Sequence, residues 1–264
     1  MANSPTGESV IRRVVRLVEA FDDEHRTMSV AALSRRSGLP VSTTYRLVGE
    51  LLAEGLLERE PNSEVRIGTK LWELVSRSSR MVGLREAALP FMEDVQSVVQ
   101  HSTTLGILDS GEVLYIERIG SRESMVDITK VAGRLPVHGT SSGLVLLAHS
   151  PAAYQELFLS RPLQKFTDST LTDPPELRRH LAQIRHRGFA VMPGIIVPES
   201  SGIAVPVFGR SNTVVAALSV VVPRNEENAP VRVPVLMTAA RGISRALGWR
   251  GELKGALRQS NGQA

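Results

Sequence analysis

The sequence predicts an α+β protein with a helical amino-terminal domain and a mixed α/β remainder. Three observations carry this. Apolar residues recur at spacings of three and four through residues 10–55, extended pieces then flank Pro61-Asn62-Ser63, and β-branched runs alternate with capped helices from residue 103 onward. At 264 residues the chain can form one large domain or two modest ones.

Val10, Val14, Leu17, Val18 and Phe21 form one stripe, which predicts an amphipathic helix whose other face carries Arg12, Arg13, Arg16 and Glu19. "DDEHRTMS" reads as a loop, and Ser29 suits the N-cap of a short helix, "VAALSRRS". Gly38 and Leu39 follow, and Pro40 fits a first helical turn, where its missing N–H would be unpaired anyway. The next helix is expected to reach about Glu54, to bury Tyr45, Val48, Leu51 and Leu52, and to stop at Gly55. "LLEREPNSEVRIG" reads as a hairpin in which Val65 and Ile67 alternate with Glu64 and Arg66.

"TKLWELVSRSSRM" predicts a helical linker, on which an aromatic such as Trp72 is more often a packing anchor than a sensor of motion. "TTLGIL", a turn at 109–111, "VLYIERI" and "MVDITKV" read as strands. Ser150 and Pro151 open one helix; Asp173, Pro174 and Glu176 open another, closed by Gly188. Two strands, "IAVPVF" and "TVVAALSVVVP", flank a turn at 209–212, a last helix follows, and the end is polar. The expected divisions are a helical domain with a hairpin over 1–68, a linker helix over 69–85, a mixed α/β domain over 86–250 and a flexible tail over 251–264.

Composition narrows the function classes. The absence of cysteine removes disulfides and thiolate chemistry, and the six histidines show no metal-ligand spacing, so neither a metal nor another cofactor is expected. No run of about 18 apolar residues predicts a membrane span, and "MANSPTGESVIRR" lacks a signal-peptide core, which predicts a cytoplasmic protein. The formal charge is +4, yet residues 1–80 hold 12 basic against 11 acidic residues. Any nucleic-acid surface must therefore come from local placement of charge.

Three helices and a hairpin describe a winged helix-turn-helix, whose second helix of the pair enters the major groove and meets base edges near its start. Pro40, Val41, Ser42, Thr43, Thr44 and Arg46 occupy that start: short hydroxyls reach bases and phosphates, and the guanidinium reaches a guanine edge or a phosphate. Arg35 is a further phosphate candidate, and Arg59, Asn62, Ser63 and Arg66 belong to the wing. The plain alternative is that Ser42 to Thr44 only start a helix.

"GTSSG" at 139–143 matches the Gly-x-Ser-x-Gly elbow of serine hydrolases, with Ser141 as nucleophile. The preceding "GRLPVH" contains proline and few β-formers, which weakens that reading. The segment also fits a helix N-terminus, where Ser141 and Ser142 either cap the helix or help hold a carboxylate.

"MSVAALSRRSGLPVSTTYRLVGELLAEGLLERE", "GRLPVHGTSSGLVLLAHS" and "RGFAVMPGIIVPESSGIAVPVFGRSNTVVAALSVVVPR" resemble the IclR family of bacterial transcriptional regulators over nearly the whole chain. The resemblance implies a winged-helix domain, a linker helix, an effector domain related to GAF and profilin-like folds, and dimers that often assemble into tetramers on operator DNA. It also implies an effector cavity at Leu135, Gly139, Ser141, Ser142, Met192, Gly202, Ser219 and Val221. Met192 stands where a polar or acidic residue is common and Val221 where a second serine is often found, which suggests an effector with more apolar surface, such as an aromatic acid or a longer-chain acid. The resulting expectation is a repressor of a catabolic operon that responds to a small carboxylate; the alternatives are a hydrolase and a ligand-binding module without DNA binding.

Overall fold

The computed structural model describes residues 7–120 and 128–251. The chain divides into two units at Val82/Gly83, inside the segment expected to be a linker.

In the first unit, α1 (Val10–Glu19) is capped by Ser9, whose Oγ accepts from the Arg12 amide. β1 (Thr27–Met28) lies in the stretch that reads as a loop; two residues are too short for any periodicity to register. α2 (Val30–Ser37) has the expected Ser29 cap and ends at Gly38, whose φ of 65° suits a residue without Cβ. α3 (Val41–Ala53) starts one residue after Pro40, which sits at the N-cap instead of inside the first turn. β2 (Leu57–Arg59) and β3 (Val65–Ile67) form the hairpin, and β1 adds to it in the order β1-β3-β2.

The core of this unit gathers Leu17, Leu33, Leu47, Val48, Leu51 and Val65. Tyr45 is 58 % exposed and stays out of it, contrary to expectation. Its place is taken by Thr44, because Thr44, Leu47, Val48 and Leu51 form the inward stripe at spacings of three and four.

α4 (Thr69–Ser78) is followed by Ser79 in extended backbone, ψ 122°, and then by α5 (Arg80–Val99). The linker segment is thus two helices and not one. Ser79 supplies the restart, since its Oγ accepts from the Met81 amide. Trp72 is 65 % exposed on α4, a helix with no buried residue, so it anchors no packing within the chain.

The second unit is built on an antiparallel sheet of β4 (Ser102–Asp109), β5 (Glu112–Ile119), β6 (Arg134–Pro136), β7 (Ala190–Pro193), β8 (Ser200–Phe208) and β9 (Val214–Pro223). The strand order is β6-β5-β4-β9-β8-β7. Of the expected strand "MVDITKV", 125–127 lie outside the described residues, and 128–131 are not strand. The tail beyond Gly251 also lies outside them.

Strand alternation assigns the two sheet faces. Ala216, Leu218, Val220 and Val222 of β9 pack with α5 and α9 (Ala229–Ala246). The intervening Ala217, Ser219 and Val221 face the side covered by α6 (Ser141–Ala148), α7 (Ala152–Leu159) and α8 (Pro174–Arg187). α8 carries the predicted signals: the Asp173 carboxylate accepts from the Glu176 amide, and Gly188 ends it at φ 78°. All eight residues of α6 are buried.

Candidate functional site

The start of α3 presents one outward face. Val41, Ser42, Tyr45 and Arg46 are exposed and Thr43 is half-buried. Thr44 points inward: it is 0 % exposed and its Oγ1 donates to the Pro40 carbonyl at 3.1 Å. Its assignment as a DNA contact is therefore corrected; the hydroxyl completes the first turn of the helix. Tyr45, on the same exposed face, is the residue the sequence reading missed. The signal was present, because aligning the apolar stripe on position 44 turns position 45 outward.

Arg46 pairs with Glu50 at 2.6 Å, with both side chains more than half exposed. Such a solvated pair contributes only about 0.3–0.5 kcal/mol, so the guanidinium can exchange it for another anion. Arg35 is exposed and has no ion pair among the described residues. Its neighbour Arg36 is held by the Ala20 carbonyl and by Asp22.

On the hairpin, Asn62 and Ser63 form an exposed tip in which Ser63 adopts φ 66°. Arg59 donates to the Ser63 carbonyl at 3.1 Å and braces that tip. Arg66 lies between Glu58 at 2.8 Å and Glu60 at 2.9 Å, so it is not the free backbone-facing cation that sequence suggests. Glu58 is held below the usual carboxylate range chiefly by the Thr69 hydroxyl and amide, with Arg66 adding to the effect.

The second site is a cavity in the other unit, about 480 Å³ with its mouth included. Leu135 and Gly139 line one side, Met192 another, and Ser141 sits at the start of α6. Gly202, Ser219 and Val221 form its sheet wall. Register explains that wall: Gly202 pairs with Val221 and Ala204 with Ser219 across β8 and β9. Ser142 does not line the cavity. On α6 its hydroxyl instead donates to Ser219 Oγ at 2.8 Å, and Ser219 shares a 2.6 Å hydrogen bond with Thr104.

A Cβ on Gly202 would stand 2.7 Å from Ser141 Oγ, so glycine is what lets the start of α6 approach the sheet. Thr140 caps α6 by accepting from the Gly143 amide. The amides of Ser141 and Ser142 have no partner among the described residues and lie at the positive end of the helix dipole. The remaining lining is mostly apolar, with Ile128, Ile195, Ile196 and Val197 beside Tyr115, and among the described residues no lining side chain is charged. An anion held there would rest on amides and hydroxyls while its body met hydrocarbon.

The hydrolase geometry is missing from the segment around Ser141. A 3₁₀ turn (Val137–Gly139) separates the short edge strand β6 from α6, and His138 turns its Nε2 to the Gln164 carbonyl at 2.8 Å.

A three-helix unit with a hairpin wing, joined to a unit with a largely apolar cavity, is the make-up of a ligand-responsive DNA-binding transcriptional regulator. Residues 10–61 match the IclR helix-turn-helix domain, and residues 77–245 match the C-terminal domain of the bacterial transcriptional regulator IclR. The chain belongs to the IclR family. It is 43 % identical to an IclR homologue of Microbacterium hydrocarbonoxydans whose structure is a complex with 4-hydroxybenzoate; the match covers 90 % of this chain and 99 % of that one, with a TM-score of 0.83. It is 31 % identical to the Escherichia coli regulator RhmR, over 84 % of this chain and 87 % of the relative. Identity to E. coli XynR is 30 %, over 90 % of this chain and 97 % of the relative.

Proposed function

We propose that this regulator represses a catabolic operon and is released from its operator by a small aromatic carboxylate. The observation that carries the ligand class is the cavity itself: amides and hydroxyls at the start of α6 face a largely apolar lining with no charged side chain among the described residues. That arrangement suits a single carboxylate on a planar apolar body. The 4-hydroxybenzoate bound by the Microbacterium homologue supports the same class. Of the residues carried over from the family pattern, Ser142 acts indirectly, through its hydrogen bond to Ser219.

The operator-reading residues under this proposal are Ser42, Thr43 and Arg46, with Val41 and Tyr45 offering apolar contact to thymine methyls. Pro40 sets the start of the helix, while Arg35, Arg59, Asn62 and Ser63 are placed for the phosphate backbone. The acting species is a homodimer, assembled further into a tetramer. Apolar side chains left uncovered on α1 (Ile11) and on α4 (Trp72, Leu74) support a partner surface. A dimer sets two α3 helices about 34 Å apart, in successive major grooves. The protein acts in the cytoplasm, and no described helix is long and apolar enough to cross a membrane.

Calorimetry on the full chain tests the ligand class. Under the proposal 4-hydroxybenzoate binds at least roughly tenfold more tightly than pyruvate or glyoxylate and frees a labelled operator fragment. The opposite ranking overturns it.

A further inference from the structure

The second unit has another recess, a groove of about 690 Å³ including its open mouth, between the end of α8, the later half of β8 and α9. We propose that this groove is a second ligand site, distinct from the α6 cavity, for an organic anion with a planar apolar body.

The walls explain the apolar half of that description. β7 pairs with β8 only from Ala190↔Ala204 to Pro193↔Ser201, so Val205 to Phe208 have no strand on that side. Pro206 lacks a donor there, and the Phe208 amide is taken by Ser244 Oγ at 2.9 Å. The edge is thus closed to strand addition and remains an apolar wall. Phe208 and Trp249 stack at 5.3 Å and 18°, and the indole Nε1 is fixed to Asn212 Oδ1 at 2.7 Å. A rigid aromatic pair bordering a groove offers a surface on which a flat ring can lie.

The rim explains the charge. Arg185 and Arg187 come from α8 and Arg241 from α9, with no carboxylate among the described lining residues. None of the three is ion-paired among the described residues, whereas Arg178 on the same α8 is matched to Glu156 at 2.6 Å. Complementing the carbonyl end of α8 accounts for basic residues in its last turn; it does not account for Arg241 converging from another helix. The His149 ring stands edge-on to Phe208 at 6.1 Å. Its protonation is suppressed first by burial and further by the charge of Arg185, which registers the positive field.

The groove and the cavity share elements. Ser141 at one end of α6 lines the cavity and His149, its C-cap, lines the groove, about 12 Å apart along the axis. β8 likewise runs from Gly202 at the cavity to Phe208 at the groove.

The test uses the full chain labelled with 5-fluorotryptophan, whose two ¹⁹F signals come from Trp72 and Trp249, assigned with Trp72→Phe. With 1-naphthoate as the probe, the Trp249 signal moves saturably, and Arg185→Gln/Arg241→Gln weakens the response at least roughly tenfold. The neutral 1-naphthamide is weaker by a similar factor. A Trp249 signal that stays still, or that moves equally with the amide or in the double variant, overturns the proposal. Because both substitutions are on exposed side chains that do not line the α6 cavity, retained binding of 4-hydroxybenzoate in the double variant separates this outcome from failure at that cavity.

Discussion

Thr44 and Arg46 stand two residues apart on α3, one side chain buried and the other exposed. Thr44→Val removes one buried hydrogen bond and is expected to cost about 1 kcal/mol of stability while leaving operator affinity unchanged, read by urea titration and by DNA binding at fixed salt. Arg46→Ala is expected to do the reverse, weakening operator binding by about 1–3 kcal/mol at unchanged stability. The hydroxyl and guanidinium residues at 42–46 were legible in the sequence as a candidate set, and the facing of each hung on how the apolar stripe was aligned. That choice depended on one step of helical phase: three apolar side chains and a threonine made the inward stripe, and the exposed tyrosine was left outside it. Gly202 shows the same limit. Its identity was tied to the cavity by family resemblance, but the reason for it, a 2.7 Å approach to Ser141 Oγ, exists only in three dimensions. Gly202→Ala should push the first turn of α6 off the sheet and lower 4-hydroxybenzoate affinity at least roughly tenfold, with operator affinity retained; unchanged calorimetry would remove Gly202 from the site.

Among elements, those with a chemical start or stop signal were legible and those defined only by pairing were not. α8 announced itself through Asp173, Pro174, Glu176 and Gly188, and each occupies the position its chemistry dictates. Asp173→Ala is accordingly expected to cost about 1 kcal/mol, measured as a lower urea midpoint with unchanged ligand affinity. By contrast β1 and β6 are two and three residues long and exist because a neighbouring strand offers hydrogen bonds. No period can be read from so few positions. The linker failed for a different reason. Residues 69–99 are helix-forming almost throughout, and only Ser79, by taking extended backbone and capping the restart, divides them. A serine is an ordinary residue on a helix surface, so its sequence context carries no warning of the break.

At the scale of the whole molecule, two histidines couple stability to pH. Burial lowers the pKa of both His149 and His180 below 6.5, and nearby arginines add to it. The folded state therefore holds fewer protons on these rings than the unfolded chain does. Their contribution to stability is complete above about pH 6.5 and is lost as the pH falls through the folded-state values. Urea midpoints should fall between about pH 7 and about pH 5, and His149→Gln/His180→Gln should flatten that dependence; an identical slope in the double variant would assign it to other groups.

The carboxylates beside the outward arginines bear on how the protein treats the rest of a genome. Glu50 holds Arg46, and Glu58 and Glu60 hold Arg66. If these arginines meet DNA as proposed, a duplex that offers only phosphates must displace or accommodate the internal anions, and random sites are expected to hold the protein weakly. A matching operator adds base-edge contacts that a random site lacks. Acidic residues next to a reading helix thus favour discrimination over grip, and they let a nearly neutral domain search a large excess of wrong sequence without being detained by it.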